Sequence, residues 1–274
     1  MHRVWKRFLA RKTGIVSAAI VLLLVGLAVA APIAFPVDPN EITGEVLQPP
    51  SLEHVLGTDD LGRDVLTGLI YGIQVSLTVG VLAAVAASLI GGLVGALAGF
   101  YGGLLDLVVM RIAEIFQVVP SFILAAVIAA LSGPGLWQII AVIALLSWPQ
   151  TARVMRGEVI RVKQLDFVDA VRCLGIGEGT ILRKEIIPNA VGPMLAVGTL
   201  IVGSAILLEA SLSFLGLSSP DVVSWGRMLN TGQRYLFIAW WLSFFPGLAI
   251  VVTVLAFNLL GDAIGAALNP RGAD

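Results

Sequence analysis

Apolar residues run along this chain in blocks, and all but three of the charged residues, Arg111, Glu114 and Glu209, lie outside them. Six blocks stand out, at 14–35, 75–99, 107–131, 136–152, 190–217 and 237–260. Each comes near the roughly 20 residues a helix needs to cross about 30 Å of hydrocarbon, the fourth being the shortest. Gly91, Gly95 and Gly99 recur at every fourth position of the second block, which lines them along one helix face where another helix backbone packs closely. Between the fourth and fifth blocks the pattern changes. Leu165, Val168, Val171 and Leu174 fall at every third position while Arg161, Lys163, Gln164 and Arg172 supply a polar side, so 159–174 reads as an amphipathic helix. Gly175 suits a left-handed turn that ends it, Thr180 is placed to start a second short helix, and Pro188 is expected to stop that helix before the fifth span. The pattern predicts an all-α membrane protein with six transmembrane helices and a helix-turn-helix held between spans four and five.

Composition supports lipid as the solvent. A mean hydropathy of +0.96, with 58% hydrophobic and 13% charged residues, is more apolar surface than one water-soluble core hides. Orientation follows from Lys and Arg, which short loops retain on the cytoplasmic side. Arg3, Lys6, Arg7, Arg11 and Lys12 precede the first block, and Arg153, Arg156, Arg161, Lys163, Arg172, Arg183 and Lys184 lie between the fourth and fifth. The segments expected outside hold only Arg63, Arg227 and Arg234. Both termini are therefore expected in the cytoplasm. The chain divides into a cytoplasmic tail (1–13), a first transmembrane helix (14–35), an acidic extracytoplasmic segment (36–74), a five-helix core (75–262) with a cytoplasmic loop (153–188), and a cytoplasmic C-terminal tail (263–274). The basic start, apolar run and Ala28-Val29-Ala30 imitate a secretory signal, but the run is long enough to span and reads as a retained anchor.

Candidate chemistry is sparse. One cysteine, Cys173, and two histidines, His2 and His54, leave no disulfide framework and no Cys/His metal cluster. Asp59, Asp60 and Asp64 in an aqueous loop read as solvated or capping groups, and no metal is assigned. The run Gly175-Ile176-Gly177-Glu178-Gly179-Thr180 lacks the Lys of a P-loop and does not fit the dinucleotide fingerprint, so no cofactor site is assigned to this chain. Arg111 and Glu114 sit one turn apart at the start of the third block, the spacing of an intrahelical ion pair. Glu209, within an apolar run and one turn before Ser213, must face protein or water, and two roles are open to it: structural bonding or lining a translocation pathway. A nucleophile–base hydrolytic site is disfavoured because both histidines lie outside the blocks. An ion-coupled secondary transporter would account for the spans and Glu209, but not for the amphipathic loop.

That loop resembles a known element. Asp169-Ala170-Val171, three residues, Gly175, twelve residues and Pro188 are similar to the cytoplasmic EAA loop of ABC importer permeases, with Asp in place of Glu and Val in place of the second Ala. Gly57-Thr58-Asp59-Asp60-Leu61-Gly62-Arg63-Asp64 and Glu209-Ala210-Ser211-Leu212-Ser213-Phe214-Leu215-Gly216-Leu217 look like signatures of the dipeptide/oligopeptide/nickel permease subfamily. Phe245-Pro246-Gly247-Leu248-Ala249-Ile250 and Ala256-Phe257-Asn258-Leu259-Leu260-Gly261-Asp262 extend the match over most of the chain.

The resemblance implies the type I ABC importer permease fold in a bacterial plasma membrane. It also implies a set of partners: a second, similar permease, two cytoplasmic ATPases that bind ATP-Mg, an extracytoplasmic substrate-binding protein, and no nucleic acid. Asp169, Ala170, Leu174, Gly175, Ile176 and Pro188 would form the ATPase-coupling surface, with Glu209 and Ser213 as candidates for the pathway. The implied cargo is di- or oligopeptides; glutathione-type peptides or nickel complexes are the alternative.

Overall fold

Close approach of two long helices organises the molecule. The computed structural model describes residues 2–34, 36–219 and 222–268. Its axis is α3 (Val65–Tyr101) packed along α6 (Leu136–Lys163). The Gly91/Gly95/Gly99 face makes the contact, as the spacing predicts. A β-carbon on Gly95 would strike the Ala152 carbonyl oxygen and come within 2.8 Å of its Cα, and one on Gly99 would lie 2.7 Å from the Arg156 carbonyl oxygen. Thr151 ties the pair together, its hydroxyl donating to the Ala87 carbonyl at 2.8 Å.

Around this axis, α9 (Ile187–Phe214) packs on α3, and α11 (Trp241–Leu268) packs on α9. The peripheral α2 (Lys12–Ala34) leans on α11 and α3, with Gln74 Nε2 donating to the Ala28 carbonyl at 2.6 Å. Leu22, Leu23, Val29 and Ile33 on α2 are exposed, as a lipid-facing helix requires. A short α1 (His2–Leu9) precedes it and packs on α11. Phe35 and 269–274, which the expected first span and C-terminal tail include, lie outside the described residues.

Among the described residues four helical stretches, Lys12–Ile33, Val65–Tyr101, Glu178–Phe214 and Trp241–Leu268, are long and apolar enough to cross a membrane, and a bent pair adds a fifth if it counts as one span. The third expected span, 107–131, is that bent pair and not one straight helix. α4 (Gly103–Val118) and α5 (Ser121–Ser132) meet at 89° across Val119-Pro120. Proline has no N–H to donate and pushes the preceding residue into extended backbone, and Val119 sits at φ −82°, ψ 131°. The fourth expected span is the first part of α6, whose second part carries Arg153, Arg156, Arg161 and Lys163 in the same unbroken helix.

Helix α3 begins at Val65, ten residues before the apolar block. Asp64 caps it, accepting from the Thr67 amide at 2.8 Å. The first turns bury Gly72 against Trp225 of α10 (Trp225–Gly232), whose Nε1 donates to the Leu69 carbonyl at 3.0 Å. The preceding segment folds back over the same end of the bundle. Thr58 is fully buried, donates to the Glu45 carbonyl at 2.6 Å, and offers its own carbonyl to Trp241 Nε1 at 3.2 Å.

Candidate functional site at the loop between α6 and α9

Opposite that end, α6 runs to Lys163 and breaks at Gln164-Leu165, so the expected amphipathic helix is two pieces: the tail of α6 and α7 (Asp166–Cys173). Lys163 secures the break, donating to the Phe100 carbonyl at 2.6 Å with its ammonium 5.2 Å from the Phe100 ring centre. α7 keeps the predicted division of faces. Val168 is fully buried among Phe100, Met155, Val159, Val162, Ile181 and Ile186. Asp169, Ala170, Cys173, Leu174, Gly175 and Ile176 are exposed.

Gly175 turns the chain at φ +77°, a region open to glycine and costly to other residues. Its amide donates to the Arg172 carbonyl at 2.9 Å, and α8 (Glu178–Ile181) begins three residues on. The helix starts at Glu178 rather than Thr180, with Gly177 as an N-cap that offers no side chain. Arg172 bridges the turn. Its Nη1 donates to Asp169 Oδ1 at 3.0 Å within α7, and its Nε to Glu178 Oε1 at 3.1 Å on α8. In the sequence Arg172 belongs to a polar face, and only its i,i+3 spacing from Asp169 signals a partner; the bond to Glu178 needs the turn.

Pro188 does not stop the helix. α8 passes through a π-turn, Leu182–Ile186, directly into α9, with Pro188 in its first turn. The Ile187 amide reaches back five residues to the Leu182 carbonyl. The wider turn makes room for a ring that would collide with the carbonyl four residues before it, and Asn189 Nδ2 donates to the Glu185 carbonyl at 2.6 Å. The loop thus runs into α9 without interruption, and at its other end Lys163 and the buried Val168 tie it to α6 across the break at Gln164-Leu165.

The outward surface of this element is apolar at its tip. Leu174 is 76% exposed, and Leu165, Phe167 and Ile176 of the same loop are also uncovered. Fixed from beneath and apolar above, it has the character of a docking surface.

Comparison with known proteins gives this geometry a context. Residues 91–273 match the family of binding-protein-dependent transport system inner membrane components, and residues 1–50 match the N-terminal TM domain of oligopeptide transport permease C. The chain belongs to this permease family. The glutathione transport system permease protein GsiD of Pectobacterium atrosepticum is 36% identical over 270 residues, covering 97% of this chain and 90% of that protein. The same protein of Escherichia coli O157:H7 is 38% identical over 273 residues, covering 98% and 90%. The fold agrees: a chain of the MetNI methionine ABC transporter, solved in inward-facing conformations, superposes with TM-score 0.60 at 21% identity over 74% of this chain and 96% of that one. The protein is an ABC importer permease component, a multi-pass protein of the bacterial inner membrane.

The second candidate site lies far from the loop. Glu209 of the permease is 1% exposed and sits five residues from the end of α9. Three hydroxyls reach it. Ser213 donates to Oε1 at 2.6 Å and Ser76 of α3 to Oε2 at 3.4 Å, while Ser224, which caps α10, bonds the same carboxyl. Ser76 and Ser224 had no sequence signal tying them to Glu209. A small cavity lined by Val75, Leu136, Ile139, Ser218 and Val222 adjoins the cluster. Arg111 Nη1 and Glu114 Oε2 are paired at 2.8 Å on the exposed face of α4, as their spacing predicts.

Proposed function

We propose that this permease forms half of the translocation pathway of an ATP-driven importer of short peptides, and that loop 153–188 couples it to a separate ATPase. The observation that carries the reading is the exposed apolar tip at Leu174, Phe167 and Ile176, mounted on a base fixed to both α6 and α9. A surface that is to transmit force needs both properties: an uncovered face to engage a partner, and stiff attachment to the elements it moves.

In this reading the loop and both termini face the cytoplasm, following the Lys/Arg asymmetry. A second, similar permease completes the pathway, two ATPases hold ATP-Mg, and a binding protein delivers cargo from outside. Asp169, Ala170, Leu174, Gly175 and Ile176 meet the ATPase, whereas Pro188 serves the continuity of α8 and α9. Glu209 and Ser213 border the outer part of the pathway. Among short peptides, the names of the relatives favour glutathione-type cargo.

Leu174→Asp tests the docking surface directly. Leu174 is exposed, so the substitution leaves the fold intact and places a charge in an apolar contact. The variant is expected to insert normally and to lose co-purification with the ATPase; retention of wild-type association would refute the assignment.

A further inference from the structure

Helix α4 is held to the bundle by little. Of its sixteen residues only Ala113 is buried. Its contacts to α6 run antiparallel: Phe116 stands edge-on to Trp148 at 5.9 Å, and Ala113 packs with Trp148 and Ala152. Asp106 makes the third contact, accepting from the Arg156 guanidinium through both oxygens, with Nη2 to Oδ2 at 2.6 Å. The first two are apolar and permit sliding. A guanidinium–carboxylate fork fixes angle as well as distance.

Arg156 lies one turn before Val159 and nearly two before Val162, the α6 residues on which the loop is seated. Asp106 also lines one cavity with Lys163, Gln164, Asp169 and Arg172, so the pair and the loop border the same space. At the bend of the elbow, the second residue of α5, Phe122, lines an open apolar groove with Leu207, Ala210, Phe214 and Ile250.

We propose that Asp106 and Arg156 are positioning residues for transport: the pair makes the α4–α5 elbow follow the loop end of α6, so that displacement of the loop moves Phe122 at the groove. The inference rests on the coupling role given to the loop. When α6 tilts at its loop end, the fork carries the start of α4 with it. The 89° bend at Pro120 turns that movement into displacement of α5 across the groove. Without the fork, α6 slides past α4, and the partner ATPases hydrolyse ATP without moving the groove wall.

The test is the number of substrate molecules imported per ATP hydrolysed, in vesicles holding the complete transporter at matched insertion. Asp106→Asn and Arg156→Gln are each expected to lower that ratio by about tenfold, and the exchange Asp106→Arg with Arg156→Asp to recover part of it. Arg156→Lys keeps the charge but not the fork, so it should fold and still lower the ratio by a smaller factor. A wild-type ratio in Arg156→Lys and the two neutral variants, or an exchanged pair no better than the single variants, would overturn the proposal. Gly175→Val in the same vesicles separates the two readings. If it is uncoupled while the pair variants are not, only this inference fails; if it imports at the wild-type ratio, the coupling role of the loop has failed.

Discussion

Gly175 and Gly177 offer a controlled perturbation of the loop, because they sit two residues apart in one exposed turn and a β-carbon on either would meet no atom within 4 Å. They differ in backbone alone. Gly175 holds φ +77°, while Gly177 holds φ −65° and ψ 142°, an extended conformation open to any residue. Valine at 175 must therefore bear about 1 to 3 kcal/mol of conformational strain, whereas valine at 177 bears none. Relief of the strain requires φ to turn negative, which changes the angle between α7 and α8 and parts Arg172 from Glu178. That pair is exposed and adds little resistance. The native turn should accordingly lose population by a factor of roughly 5 to 150. With both variants at equal membrane levels, Gly175→Val should lose ATPase association and uptake over that range, and Gly177→Val should match the wild type. Equal behaviour of the two would refute the argument, because added bulk rather than backbone angle would then be the cause.

Helix packing makes an opposite-sign pair from one substitution. Gly95→Ala drives a methyl into the Ala152 backbone and should destabilise by about 1 to 3 kcal/mol or more, while Gly157→Ala points into open space and should gain up to about 1 kcal/mol; thermal unfolding in detergent shows whether the two midpoints move apart. Glu209→Gln keeps partners for Ser76, Ser213 and Ser224 and should fold like the wild type yet import less, and normal uptake would leave the carboxylate a purely structural role. In the segment before α3, burial first and the neighbouring Asp59 charge second push the Asp60 carboxyl above its ordinary range, against Arg63 and Arg234, and its Oδ1 has no hydrogen-bond partner among the described residues. Folded protein then holds this proton more tightly than unfolded protein does, so stability rises as pH falls through the window just above ordinary aspartate values. Asp60→Asn should flatten that dependence and raise the midpoint at neutral pH, and an unchanged pH profile would contradict the assignment.

Much of this was legible because lipid imposes a simple rule on sequence. Apolar length marked α2, α3, α9 and α11, a four-residue glycine period marked the α3–α6 contact, and positive φ at Gly175 followed from its place after an amphipathic run. Hydropathy reports where lipid is met, not where a helix begins. The early turns of α3 were hidden because Thr67, Tyr71 and Gln74 are polar, and what stabilises them is packing against α10 and α2. Pro120 was visible but sits between apolar stretches that together have the length of one span, so the right-angled elbow did not show. Pro188 misled in the other direction, since a π-turn lets a helix continue through proline when the preceding carbonyls are spaced apart. The long-range pairs, Asp106 with Arg156 and Glu209 with Ser76 and Ser224, carry no local spacing and became visible only in three dimensions.

On the coupling proposed for loop 153–188, transport through this permease is driven by ATP hydrolysis on a separate subunit. The most direct test is glutathione or dipeptide uptake into vesicles reconstituted with the permease pair, the ATPases and the binding protein, measured with ATP, with a non-hydrolysable analogue, and with proton and sodium gradients collapsed. Uptake should require hydrolysable ATP and survive collapse of both gradients. Uptake that proceeds without the ATPases and stops when an ion gradient is collapsed would contradict this coupling.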